Sequence, residues 1–144
     1  RRNSLIRTRG QRNYEYDCIV DLALEALEYN NIALINAPFT REIRDMEYID
    51  KLKEKLKEKS ATLVVIWVET SPEIVRQRMI TRNSDRDTWK LENWDEYIGS
   101  CNFDIPKNLD DSNIKDDLLI FKNNNDEEFE GSMKDILEIL EKTI

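Results

Sequence analysis

Four arginines crowd one stretch of an otherwise acidic chain: Arg76, Arg78, Arg82 and Arg86, the last followed directly by Asp87. Arg78 and Arg82 stand four residues apart, so on a helix they share one face, and Arg86 can follow on the adjoining loop. Three converging guanidiniums offer forked N–H donors that suit phosphate oxygens and the charge spread over a transferring phosphoryl group. The competing reading is a set of surface ion pairs with Glu73, Asp85 or Asp87. A second group, Thr40, Arg41 and Arg44, could orient an anionic acceptor substrate, or could simply open a solvent-facing helix. Just before it, the apolar run Ile32-Ala33-Leu34-Ile35 ends in Asn36. Ligands of open α/β sheets sit outside the carboxyl ends of strands, so a polar residue there is a candidate. An acidic side chain is the usual magnesium partner at such a place; Asn36 is neutral, and it equally suits a turn before Pro38.

The rest of the composition narrows the chemistry. Histidine is absent from the 144 residues, which removes the commonest general base, the commonest zinc ligand and any Ser-His-Asp triad. A net charge of −8 argues against nucleic acid and anionic membranes as general partners. Cys18 and Cys101 form no CxxC pair or metal cluster and read as reduced thiols of a cytoplasmic protein. The longest apolar run, Leu63 to Val68, is too short to span a bilayer, and no signal peptide is read at the N-terminus. The sequence opens Arg1-Arg2-Asn3 without Met, so a preceding segment is expected.

The elements that must hold these residues follow from the pattern. Residues 1–13 are basic and show no period, as a flexible segment or an anion contact would. Ile19, Leu22, Ala23, Ala26 and Leu27 recur at helical spacing from Tyr16 to Tyr29, and Asn30-Asn31 stops that helix. Ile32–Ile35 reads as a strand covered on both faces, ended by Pro38. Residues 41–59 read as a helix with Ile43, Met46, Ile49, Leu52 and Leu56 inside, its outer Lys and Glu forming a solvated face. Thr62 to Val68, rich in β-branched residues, is the clearest strand. Thr70-Ser71-Pro72-Glu73 supplies an N-cap, a proline at the first helical position and an acid in the first turn, and predicts a helix to about Arg82. A polar break at 83–85, a short helix over Leu91–Ile98 and a connecting loop over 101–117 follow. Leu118–Phe121 is the third strand, Asn123–Asn125 with the acids after it a turn, and the last helix begins at about Ser132. Strands separated by helices imply parallel pairing, so the fold class is α/β with one domain over 1–144.

The segment Val64-Val65-Ile66-Trp67-Val68-Glu69-Thr70-Ser71-Pro72-Glu73-Ile74-Val75-Arg76-Gln77-Arg78-Met79-Ile80-Thr81-Arg82, then Arg86-Asp87, resembles the late strand, helix and lid of the P-loop kinase-like ATP-binding proteins. These include AAA-family ATPases and the zeta-toxin-like and nucleoside-kinase-like proteins. The resemblance covers most of the chain from about Tyr16. It implies a three-layer P-loop kinase-like fold with a parallel sheet, truncated at its N-terminus, with a lid-like region over 76–98. Arg78, Arg82 and Arg86 match the lid positions that close on ATP phosphates. Ile32 to Asn36 is similar to the Walker B strand, with Asn36 where the family has Asp. The implied cofactors are ATP and Mg²⁺ in a full-length protein, with a small-molecule acceptor as partner.

The family's most diagnostic motif, G-x-x-x-x-G-K-[ST], is missing. Its glycines let backbone N–H groups cradle phosphate while the Lys reaches the β and γ positions. Gly10, Gly99 and Gly131 are the glycines here, and none precedes Lys-Ser or Lys-Thr. The sequence therefore reads as part of an ATP-binding phosphotransferase, inactive alone. The rival is a degenerate kinase-like domain that binds a partner protein, and a nucleic-acid-end kinase is a third reading, supported by the basic N-terminal segment alone. The family's central first strand is also missing, so either the remaining strands close up or an open edge pairs with a second copy.

Overall fold

The computed structural model describes residues 9–105 and 118–143. Residues 1–8 of the basic segment and 106–117 of the connecting loop lie outside the described residues. The chain divides into two compact units, residues 1–63 and 64–144.

In the first unit, α1 spans Arg9–Ala26, a 3₁₀ turn spans Glu42–Arg44 and α2 spans Met46–Glu58. Helix α1 takes in the last basic residues, so it begins seven positions before Tyr16. Among its described side chains the buried one is Val20, whereas Ile19 and Leu22 face solvent. The inner stripe is therefore Val20, Ala23, Leu24 and Leu27, also at helical spacing but turned from the expected one. The 41–59 helix is broken at Asp45, whose backbone is extended and whose carboxylate accepts the N–H groups of Glu47 and Tyr48. That cap starts a new helix rather than continuing the old one. Ile49 and Leu56 are buried as expected. The outer face adds a Glu47–Lys51 pair at 2.7 Å, and Lys59 pairs with Glu28.

Ile32–Asn36 forms no strand, a correction to the sequence reading. The run meets no partner ladder, and Leu34 is 81% exposed, so apolar composition alone did not secure burial on two faces. Tyr16 holds the end of the segment, its phenol donating to the Pro38 carbonyl at 2.9 Å and its ring lying 4.7 Å from Phe39.

The second unit contains mixed helix and strand. Strand β1, Val65–Glu69, pairs in parallel with β2, Leu118–Lys122, in the register Val65↔Leu118 to Glu69↔Lys122. Among the described residues the sheet has these two strands rather than three. Between them run α3 (Pro72–Arg82), a 3₁₀ turn (Asp85–Asp87), α4 (Thr88–Glu92) and α5 (Trp94–Ser100). Asn93 separates α4 from α5, where the sequence pattern had suggested one helix. The final helix, α6 (Asp126–Thr143), begins six residues before Ser132. Asn125 caps it by accepting the Glu128 N–H at 2.8 Å, and the acids read as a turn instead form its first turn, where they favour the helix dipole.

The expected start of α3 is present as read: Ser71 accepts the Ile74 N–H, and Pro72 is the first helical residue. Asn124 ties this start to the end of β2, accepting the Ser71 N–H at 2.7 Å. Replacing Asn124 by Ala strands that partly buried N–H, so Asn124→Ala is expected to cost about 1–2 kcal/mol. Asn124→Asp, which keeps an acceptor, should cost clearly less. Urea denaturation of both variants checks the ordering, and equal stability of Asn124→Ala and the parent would contradict it.

Candidate functional site

Because β1 and β2 are parallel and in register, Glu69 and Lys122 bring their carboxyl ends to the same place. The Asn123 N–H donates to the Glu69 carbonyl at 2.9 Å, and Asn124 receives the Ser71 N–H. Arg78, two turns into α3, donates from Nη2 to Asn123 Oδ1 at 3.4 Å. The amide turn after β2 therefore anchors Arg78 beside the strand ends. Asn124 is held in its turn by Glu128, whose Oε2 accepts the Asn124 N–H at 3.2 Å.

The second cluster is built by the reversal after α3. Asn83 adopts the left-handed conformation (φ 46°) that ends the helix, a position for which asparagine carries little penalty. The 3₁₀ turn then brings Asp87 back under Arg82. Arg82 donates to the same carboxylate oxygen twice, Nε to Oδ2 at 2.9 Å and Nη2 to Oδ2 at 2.5 Å. Asp87 is fully buried at 0% exposure, the one buried polar or charged residue among those described. Its backbone N–H donates to Ser84 O at 2.9 Å, and its side chain makes no cap for α4.

The other oxygen, Oδ1, has no hydrogen-bond partner. Arg86 Nε stands 3.8 Å from it and Lys90 Nζ 3.9 Å, too far for a hydrogen bond but close enough for strong charge attraction. Three cations thus surround one carboxylate in a chain that is acidic as a whole. Lys90 also lies over the Tyr97 ring, 5.3 Å from its centre. Burial, then the Cys101 thiol and then the Asp87 charge hold the Tyr97 phenol above its ordinary value. Arg76 turns to α5 instead, with its guanidinium 5.4 Å from the centre of the Trp94 ring.

The arginine series is therefore divided: Arg82 and Arg86 meet at Asp87, Arg78 meets Asn123, and Arg76 meets Trp94. The ion-pair reading holds for Arg82 and its partner Asp87. Arg86 remains 67% exposed. In the other unit Arg41 is exposed at the start of the 3₁₀ turn, its carbonyl accepting the Arg44 N–H at 3.0 Å. Asn36 is exposed at the end of the unpaired segment. It offers one neutral oxygen and sits at no strand end, so the Walker B-like strand that the resemblance implied is not formed. Among the described residues no group of three or more His, Cys, Asp or Glu could hold a metal ion, and no helix is long and apolar enough to cross a membrane. Sequence reading passed over Lys90, Asn123 and Asn124. The i,i+3 spacing of Asp87 and Lys90 was the available signal for the first.

No family model matches this chain, and neither a curated protein nor a solved structure matches it.

The buried carboxylate makes the two halves of the pair unequal. Arg82→Met removes both hydrogen bonds of the buried Asp87 carboxylate and leaves it to the more distant Arg86 and Lys90 charges, and is expected to cost about 3 kcal/mol. Asp87→Asn removes the charge while keeping the volume and one acceptor, and should cost about 1–2 kcal/mol. Chemical denaturation of the two variants measures the difference. A larger loss for Asp87→Asn would contradict this assignment.

Proposed function

We propose that this chain supplies the lid and acceptor side of an ATP-dependent phosphotransferase of the P-loop kinase-like class, with a three-layer fold completed by a phosphate loop outside the 144 residues. The observation that carries the reading is the strand β1, the capped helix α3 and the reversal behind it, which set Arg78, Arg82, Arg86 and Lys90 along one continuous segment. Cations so placed suit a reaction that depends on positioning and on stabilising charge, with no histidine required. Arg86, with its guanidinium largely in solvent, would meet the transferring phosphoryl. Arg78 would lie at the strand ends, and Arg82 would hold the turn in shape through Asp87. Arg41 and Arg44 remain the candidates for the acceptor. Bound ATP and Mg²⁺ would supply the phosphoryl group and its charge neutralisation.

A second reading is a non-catalytic domain that binds a partner protein. The observation favouring it is that Arg82, one of three arginines assigned to phosphate, is committed to a buried carboxylate.

The two readings separate on the reading frame upstream of Arg1 and on activity. A strand followed by G-x-x-x-x-G-K-[ST] is expected there. The 144-residue chain alone is expected to hydrolyse no ATP, and in the full-length protein Arg86→Ala should lower kcat by roughly 10²–10³-fold with an unchanged melting temperature. ATP hydrolysis by the chain alone, or full turnover by the Arg86→Ala protein, would overturn the proposal.

A further inference from the structure

Asp87 Oδ1 is a buried anionic oxygen with two cations waiting on it. An ionised acceptor shut away from water gains strongly from a hydrogen bond and loses strongly without one. Arg82 gives its Nε and Nη2 bonds to Oδ2 and none to this oxygen. Arg86 Nε at 3.8 Å and Lys90 Nζ at 3.9 Å are nearly equidistant from it. Either needs to advance by only about 1 Å to make a charge-assisted bond of about 2.8 Å. They differ in setting. Arg86 is 67% exposed and Lys90 is 37% exposed, and Lys90 is held back over the Tyr97 ring.

Two cations competing for one acceptor need not do the same work. We propose that Lys90 is a positioning residue: when a phosphate-bearing ligand draws Arg86 outward, Lys90 leaves Tyr97 and closes on Asp87 Oδ1, keeping the buried carboxylate neutralised. Without that exchange, every phosphate contact made by Arg86 would weaken its attraction to a buried charge, and the ligand would bind against that cost. With it, Arg86 is free to follow the ligand while Arg82 and Lys90 hold the turn. The inference rests on the phosphate-handling reading of Arg86, and it adds a role for a lysine outside the arginine series.

The probe is inorganic tripolyphosphate, titrated into the 144-residue chain and followed by NMR at the Arg86 Nε–H, the Lys90 ammonium and the Tyr97 ring. In the parent chain all three signals are expected to move together with one affinity. Arg86→Met leaves Oδ1 to Lys90 permanently, so its Tyr97 ring signals should already match those of the saturated parent chain. Lys90→Met should weaken tripolyphosphate binding about 5–10-fold, and Lys90→Arg should restore most of it. A simple loss of one positive charge would weaken binding without any Tyr97 response, so the ring signal is the deciding one. The inference is overturned if the Arg86 signal does not respond to tripolyphosphate. It is equally overturned if that signal moves while Lys90 and Tyr97 stay still, and that result leaves the phosphotransferase reading standing. Conversely, coupled signals in a full-length protein that transfers no phosphoryl group would sustain the exchange and remove the enzyme reading.

Discussion

A carboxylate with no water around it must be neutralised, and much of the segment between the two strands is arranged to do so for Asp87. Arg82 can reach it because α3 runs through Arg82 and then stops. The left-handed Asn83 turns the chain, the 3₁₀ residues carry it back, and α4 begins directly after the buried side chain. A buried ion pair of this kind adds little net stability over an apolar pair, because desolvation offsets much of the attraction. Its effect is on geometry: the reversal has one arrangement in which the anion is paired, and departures from it expose an uncompensated charge. The same anion gathers Arg86 and Lys90, so a single buried group sets the positions of three cations.

The strand ends are organised differently, chiefly around the two amides Asn123 and Asn124. Asn123 and Asn124 join the β2 exit to the β1 exit and to the start of α3 through neutral hydrogen bonds. Arg78 is tethered there by a long contact of 3.4 Å. A neutral support leaves the Arg78 guanidinium less fully compensated than a fixed carboxylate would. The positive groups of an acidic protein are thus presented on two kinds of footing, one ionic and strongly held, the other neutral and weakly held.

Much of this was legible from the residues, and the exceptions have physical reasons. Ser71-Pro72-Glu73 announced the start of α3 because capping chemistry is local; a β-branched run marked β1 and the short apolar run Leu118–Phe121 marked β2. Ile32–Ile35 misled because an apolar run reports composition, whereas a strand also needs a partner, and that is a non-local fact. Helix α1 was found with its face turned, since Ile19 and Val20 both fit a helical stripe and tertiary packing chose between them. Helix α6 was placed too late because Asn125 and Glu128 were read as turn residues, although Asn followed three residues later by Glu is also a helix-start signature. The burial of Asp87 could not be read, because charged residues are almost always outside unless paired. Arg82 and Asp87, five positions apart, lie off the usual helical pairing distance. The phosphate chemistry of the arginines stays an inference from their types and order, with the Arg82–Asp87 contact as its structural frame.

The most direct test of that frame is a double-mutant cycle on Arg82 and Asp87, measured by chemical denaturation of Arg82→Met, Asp87→Asn and the double variant. If the pair fixes the reversal, Arg82→Met should cost much less once residue 87 is neutral, giving a coupling energy of about 2 kcal/mol or more. Additive losses, with no coupling beyond about 0.5 kcal/mol, would show that Asp87 is neutralised without Arg82 and that the reversal has another cause.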